Sequence, residues 1–203
     1  MKLVCLDLEG VLIPEVWINV AERTGIEALR VTTRDIPDYD ELMTHRLKII
    51  AEQGLSMSKI QSVIDDMGPM DGAGDFLDWL RGEYQLIILS DTFYEFALPL
   101  MRQLGWPTLF CHRLEVKDDR IVNYHLRQQD QKRKAVAGFK AMNFKVIAAG
   151  DSYNDTSMLA EAHAGILFRP PDNVIKEFPQ YPVTTDYDAL KAEIIKAVES
   201  LPE

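Results

Sequence analysis

The chain has 203 residues, 47% of them hydrophobic and 27% charged, ordinary proportions for a globular protein able to bury one core with an inserted subdomain. Its formal net charge of −10 leaves no basic excess to neutralise phosphates, which argues against a nucleic-acid partner. No apolar run is long enough to span a bilayer, the N-terminus lacks a signal-peptide layout, and Cys5 and Cys111, without CxxC spacing, read as reduced core residues. A cytoplasmic location is therefore expected, with no membrane partner. His45, His112, His125 and His163 show no zinc-ligand spacing and read as structural or exposed.

In chain order, LVCLDL is the first strand candidate, and it stops at two carboxylates one residue apart, Asp7 and Glu9. Alternation along a strand would set the two side by side at its end. Like charges that close are costly unless a cation or a shared proton compensates. This stretch alone leaves that reading open beside a plain solvated acidic strand end.

From about Ile13 to Pro69 the pattern is helical only: Glu15 to Thr24, Asp38 to Gln53, and Ser58 to Met67. The second segment opens with a capping-box pair, Asp38 with Glu41, and the third with Ser58 and Gln61. Ile60, Val63, Ile64 and Met67 keep helical spacing. The expectation is a small helical cap over 13–69, inserted into a core formed by 1–12 and 70–203. On the second cap helix Tyr39, Met43, Leu47 and Ile50 form one apolar stripe, and Arg46 falls near its middle. An arginine there either snorkels or pairs with a structural carboxylate, or else it points a guanidinium at a substrate carboxylate.

Further strand candidates are QLIILSD from Gln85, FKVIAAGD from Phe144 and AGILF from Ala164, with helical patterns between them, which predicts a parallel α/β sheet. A hairpin is predicted from LEV and IVNYHL around Lys117-Asp118-Asp119. In open α/β sheets ligands bind outside the carboxyl ends of the strands, so Asp7, Glu9, Ser90, Asp91 and Asp151 should meet at one edge. The helix after Gln131 shows an inner face of Ala135, Val136, Phe139 and Met142. Lys132 lies on that face, whereas Arg133 and Lys134 point away. In the loop GDSYNDTSM, Asp151 and Asp155 stand four apart at a helix start.

Clustered carboxylates with a lysine and a serine hydroxyl suit Mg²⁺ and a phosphoryl group. No glycine-rich P-loop is present. One carboxylate can attack phosphorus and another can protonate the leaving oxygen.

At these residues the sequence resembles the haloacid-dehalogenase-like phosphotransferases. Their four signals are an opening D-x-D-x-T/V, a hydrophobic strand ending in Ser or Thr, a lysine, and a late G-D-x-x-N-D. Here they read DLEGV, LIILS, Lys132 and GDSYND, in that order. The helical insert, with Glu15 and Arg46, is similar to that of the phosphoserine phosphatase/homoserine phosphotransferase branch, and the resemblance runs nearly end to end. It implies a Rossmann-like parallel sheet core with a small inserted cap. It further implies Asp7 as nucleophile, Glu9 as acid/base, and Mg²⁺ held by the Asp7 carboxylate, the Glu9 backbone carbonyl and Asp151, with Asp155 orienting that shell. Ser90 and Lys132 would bind the phosphoryl oxygens, with Asn154 hydrogen-bonding nearby. Glu15 would meet a substrate ammonium and Arg46 its carboxylate. The implied substrates are phosphoserine and homoserine.

Two departures stand out. Glu9 replaces the usual Asp, and Ser90 is followed by Asp91-Thr92 where glycines are usual, which offers an extra acceptor for a hydroxyl or amine of a second substrate. A phosphatase of another small phosphate on the same fold, such as a sugar or nucleotide, is the first alternative. A receiver-like module with a phosphorylated aspartate is the second. Oligomeric state is left open, a homodimer included.

Overall fold

The computed structural model describes residues 1–32, 35–36 and 38–202. Seven strands, β1 (Lys2–Leu6), β2 (Gln85–Phe93), β3 (Leu109–Lys117), β4 (Arg120–His125), β5 (Lys145–Gly150), β6 (Ala164–Phe168) and β7 (Val183–Thr184), form one sheet in the order β4-β3-β2-β1-β5-β6-β7. Every pairing is parallel except β3 with β4. β1 is central, and its last residue, Leu6, lies opposite Ile88 on one side and Ala149 on the other. The carboxyl ends of three predicted strands are thus level, which is what gathers their polar termini.

The sheet is covered on both faces, so its inner strands read as nearly unbroken apolar runs. One face packs Leu3, Cys5, Leu89 and Ala148 against Val136 and Phe139, and the other packs Val4, Leu6 and Ile88 against Phe76 and Leu80. Cys5 and Cys111 are both buried and free. No described helix is long and apolar enough to cross a membrane.

Among the described residues the elements between β1 and β2 are all helical: α1 (Val16–Thr24), a 3-10 turn over Glu27–Arg30, α2 (Tyr39–Glu52), α3 (Met57–Met67) and α4 (Ala73–Glu83). α5 (Tyr94–Gln103), α6 (Gln131–Ala141), α7 (Thr156–Glu161), α8 (Asp172–Glu177) and α9 (Tyr187–Ser200) follow. Asp38 caps α2 as expected, accepting from the Glu41 N–H at 2.8 Å. The cap of α3 is Ser56 rather than Ser58: Ser56 accepts from Lys59 N, while Gln61 reaches away to the Glu95 carbonyl. Met142 is not on the inner face of α6, because the helix ends at Ala141 and the Met142 side chain is exposed.

The β3–β4 hairpin is longer than its sequence signal. The first residues of β3 pair in parallel with β2, and only Arg113 to Lys117 pair with β4. At the tip Asp118 and Asp119 take φ of +48° and +62°, the two left-handed residues of a tight hairpin turn. Asp119 then caps a neighbour: its carboxylate accepts from Ser58 N at 2.7 Å and from the Ser58 hydroxyl, and its carbonyl accepts from Met57 N at 2.8 Å. Tyr124 on β4 donates to Asp40 on α2. The hairpin and the helices after β1 are therefore tied together over the strand ends.

Candidate active site

The strand β1 stops at Leu6, so Asp7 and Glu9 lie in the turn beyond it and strand alternation does not set their directions. The two carboxylates part. Asp7 is buried beside Lys132 Nζ, 2.9 Å from its Oδ1, at an angle that makes no hydrogen bond. Glu9 turns to the first turn of α1, where its Oε2 accepts from Val16 N at 2.9 Å, with the Thr92 hydroxyl as a further partner. Burial, then the charge of Glu15, pushes the Glu9 carboxyl up to about 8.

Lys132 enters from the first turn of α6, fully buried. It donates to Asp155 Oδ1 at 2.7 Å and lies 3.6 Å from Asp91 Oδ2. Burial opposes its charge, but Asp155, Asp7 and Asp91 together hold the ammonium well above its ordinary range. Burial and then repulsion from Asp155 raise Asp7 well above the usual carboxylate range, with Lys132 partly offsetting them. The same two causes bring Asp151 up to about 7.

Asp155 spends both oxygens on the protein: Oδ1 on Lys132, and Oδ2 on the backbone N–H groups of Asp151 and Ser152 at 3.0 and 3.1 Å. Gly150, at the end of β5, makes room for it, since a Cβ there would lie 2.4 Å from the Asp155 carboxyl carbon. Asp7, Asp151 and Asp155 each bring an oxygen within 4.8 Å of the others. Asp7 Oδ1 has no hydrogen bond, and a Cβ on Gly10 would lie 2.6 Å from the Asp151 carboxyl carbon. Hard oxygen donors crowded into one acidic cluster fit a small divalent cation.

Ser90 is buried at the bend of β2, its hydroxyl accepting from Thr92 N at 3.2 Å. Asp91 accepts from Gln131 on Oδ1 and from Asn154 on Oδ2, each at 3.2 Å, so the protein's own donors occupy both oxygens. Burial favours its protonation, yet Lys132, His112, Gln131 and Asn154 together hold it below the usual carboxylate range. Gln131 also donates to the Ser90 carbonyl and accepts from Arg127. Gln131 was not among the sequence candidates, although its place next to Lys132, four residues before Ala135, is a helix-face signal.

Asp7, Ser90, Asp91, Lys132, Asp151 and Asn154 line one cavity of about 250 Å³, and Glu9, Glu15, Trp17, Tyr39, Thr92 and Arg46 line it too. All ten sequence-predicted site residues therefore reach that cavity or, as Asp155, support its floor. Arg46 is buried in its wall, and burial pulls its guanidinium down to about 10, against the favourable charges of Tyr39, Glu9 and Glu15. It neither snorkels nor pairs with a carboxylate among the described residues: Nη2 donates to the Val31 carbonyl at 3.0 Å, Nη1 approaches Met43 Sδ, and Nε has no partner.

A strand-end acidic cluster around a buried lysine, on a parallel sheet with helices inserted after its first strand, marks a class of hydrolases. The haloacid dehalogenase-like hydrolase family model matches residues 1–163, and the chain belongs to that family of enzymes. It is 62% identical over 198 residues to the phosphoserine phosphatase ThrH of Pseudomonas aeruginosa, with 97% of each chain covered. It is also 62% identical to a phosphoserine phosphatase of Pseudomonas syringae pv. tomato, over 97% of this chain and 84% of that one. Among solved structures, a substrate-bound phosphoserine phosphatase complex superposes with a TM-score of 0.77 at 21% identity, covering 96% of this chain and 97% of its own. An apo phosphoserine phosphatase gives 0.76 at 22% identity, covering 96% and 98%. The shared fold is the α/β, Rossmann-like one.

Proposed function

We propose that the protein is a Mg²⁺-dependent phosphoserine phosphatase that works through an aspartyl-phosphate on Asp7 and also passes the phosphoryl group to homoserine. The observation that carries the reading is one cavity lined by two chemically distinct sets of groups: Asp7, Ser90 and Lys132, and Arg46 with Glu15, both within the proposed cap over 13–69. An amino-acid phosphate ester carries the matching groups, a phosphoryl, a carboxylate and an ammonium. The names of the two relatives at 62% identity agree with it.

In this reading the Asp7 carboxylate attacks phosphorus while Lys132 and Ser90 hold the phosphoryl oxygens. The serine oxygen leaves with a proton from Glu9, a carboxyl that its surroundings keep protonated near neutrality. Glu9 then takes a proton from the attacking water or homoserine hydroxyl as the acyl phosphate is cleaved. Mg²⁺, held by Asp7, Asp151 and the Glu9 backbone carbonyl, would neutralise the phosphoryl charge. Asp155 orients Asp151 and Lys132, and Asp91 with Asn154 braces the lysine. Homoserine presents the same ammonium and carboxylate as serine, so Glu15 and Arg46 hold it as well. A positioned alcohol outcompetes water by its effective molarity.

The test is labelled phosphoserine with Mg²⁺ and rising homoserine. Label should appear as inorganic phosphate and then move into phosphohomoserine. Phosphate alone at saturating homoserine overturns the transfer, and no turnover of phosphoserine overturns the whole reading.

A further inference from the structure

Arg46 is held in an unusual way for a residue so close to acids. Its guanidinium carbon sits 4.5 Å over the centroid of the Trp17 ring. Trp17, on α1, also meets Phe96 of α5, edge to face at 5.2 Å and 70°. Phe96 meets Phe93 at the end of β2 in the same manner, at 5.8 Å and 86°. A line of edge-to-face rings thus runs from the sheet to the guanidinium. Glu9 and Glu15 both act on Arg46 through charge, yet neither pairs with it.

We propose that Trp17 is a positioning residue that gives the site its preference for carboxylate-bearing phosphate esters. The inference rests on the reading of Arg46 given above. With one face against the indole and Nη2 tied to the Val31 carbonyl, the guanidinium keeps a buried Nε with no hydrogen-bond partner. Nε and the second N–H of Nη2 make the side-on fork that a carboxylate accepts with two bonds. The indole also keeps the arginine from swinging to Glu9 or Glu15. Either pairing would cancel the charge that selects the substrate and would tie up the ammonium-binding acid. Trp17 therefore acts through Arg46 and not on the reacting atoms.

The comparison that tests this is phosphoserine against phosphoethanolamine, which keeps the ammonium and the ester and lacks the carboxylate. Trp17→Leu should raise the KM for phosphoserine by about tenfold, within the range of a desolvated cation–π contact, and leave kcat nearly unchanged. Its loss with phosphoethanolamine should be clearly smaller, since that ester carries no carboxylate for Arg46 to hold. Trp17→Phe keeps an aromatic face and should lose only about two- to threefold. The double variant with Arg46→Ala should prefer phosphoserine no less than Arg46→Ala alone, since both changes remove one device. Calorimetric binding of phosphoserine in an Asp7→Asn background gives the same comparison without turnover.

Equal losses on both esters, a fall in kcat with KM unchanged, or additive effects in the double variant would overturn the proposal. If Arg46→Ala removes the preference and Trp17→Leu keeps it, the Trp17 assignment alone fails. If Arg46→Ala itself keeps the preference, both assignments fall. Should Trp17→Leu not fold, Trp17→Phe decides: no change in preference overturns the proposal.

Discussion

Lys132 donates to Asp155 at 2.7 Å with both side chains shut away from water. Removing one partner of such a pair strands the other, at about 3–5 kcal/mol. Lys132→Met should fall at the upper end of that range, because Asp155, Asp7 and Asp91 all lose their cation. The variant should be inactive, and urea unfolding should place its midpoint well below the wild type. A midpoint unchanged in metal-free buffer would show that the carboxylates do not need the lysine.

Asp7→Asn separates chemistry from folding. The amide is nearly isosteric and a poor nucleophile, so turnover should vanish. Stability should move the other way. The Asp7 carboxyl is raised above its ordinary 3.8 by burial and by Asp155, so its protonated form favours the fold. That contribution is complete below about 4 and is lost as pH rises through the raised value. Metal-free wild type should therefore lose stability from acid toward neutral pH, and Asp7→Asn should lose less. Calorimetry in EDTA at pH 8 should find the variant melting at or above the wild type, and a clearly lower melt counts against the raised carboxyl.

The hairpin tip offers a stability test far from the chemistry. Asp119 gives its carboxylate to Ser58 N and hydroxyl, and Asp119→Ala should lower stability measurably, as losing a helix N-cap does. kcat for p-nitrophenyl phosphate should hold. Unfolding free energies of Asp119→Ala and Ser58→Ala compared in one cycle with the double variant should reveal coupling, and strict additivity would mean the contact is not formed in solution.

Much of this arrangement was legible in the sequence because period and position carried it. Strand runs ending in acids located Asp7, Ser90 and Asp151, and helical phase put Arg46 and Lys132 inside. What escaped was set by tertiary contact. Nothing local says that Glu9 turns from Asp7 toward Val16, because the strand ends one residue before Asp7 and the turn takes over. Ser56 outranks Ser58 as a cap because Ser58 is claimed by Asp119, 61 residues away. Gln131 and Trp17 matter through partners on other elements, Ser90 and Arg46, that no spacing within one helix reveals.

Gly10 provides the last test, and it bears on the metal. Its φ is +76°, and a Cβ there would lie 2.6 Å from the Asp151 carboxyl carbon and from Oδ2. Gly10→Ala therefore suffers two penalties: a left-handed backbone, about 1–2 kcal/mol, and displacement of a carboxylate proposed to hold Mg²⁺. Gly25, the C-cap of α1, has φ of +72° with nothing within 4 Å of its Cβ. Gly25→Ala thus bears the backbone penalty alone and serves as the reference. In EDTA both variants should melt below the wild type. Mg²⁺ at about a hundred times its Kd should return about 2.7 kcal/mol to the wild type and to Gly25→Ala. Gly10→Ala should gain much less, and its activity should require far more Mg²⁺ to saturate. Equal Mg²⁺ stabilisation of the two variants would show that the close approach of Gly10 to Asp151 has no part in metal binding.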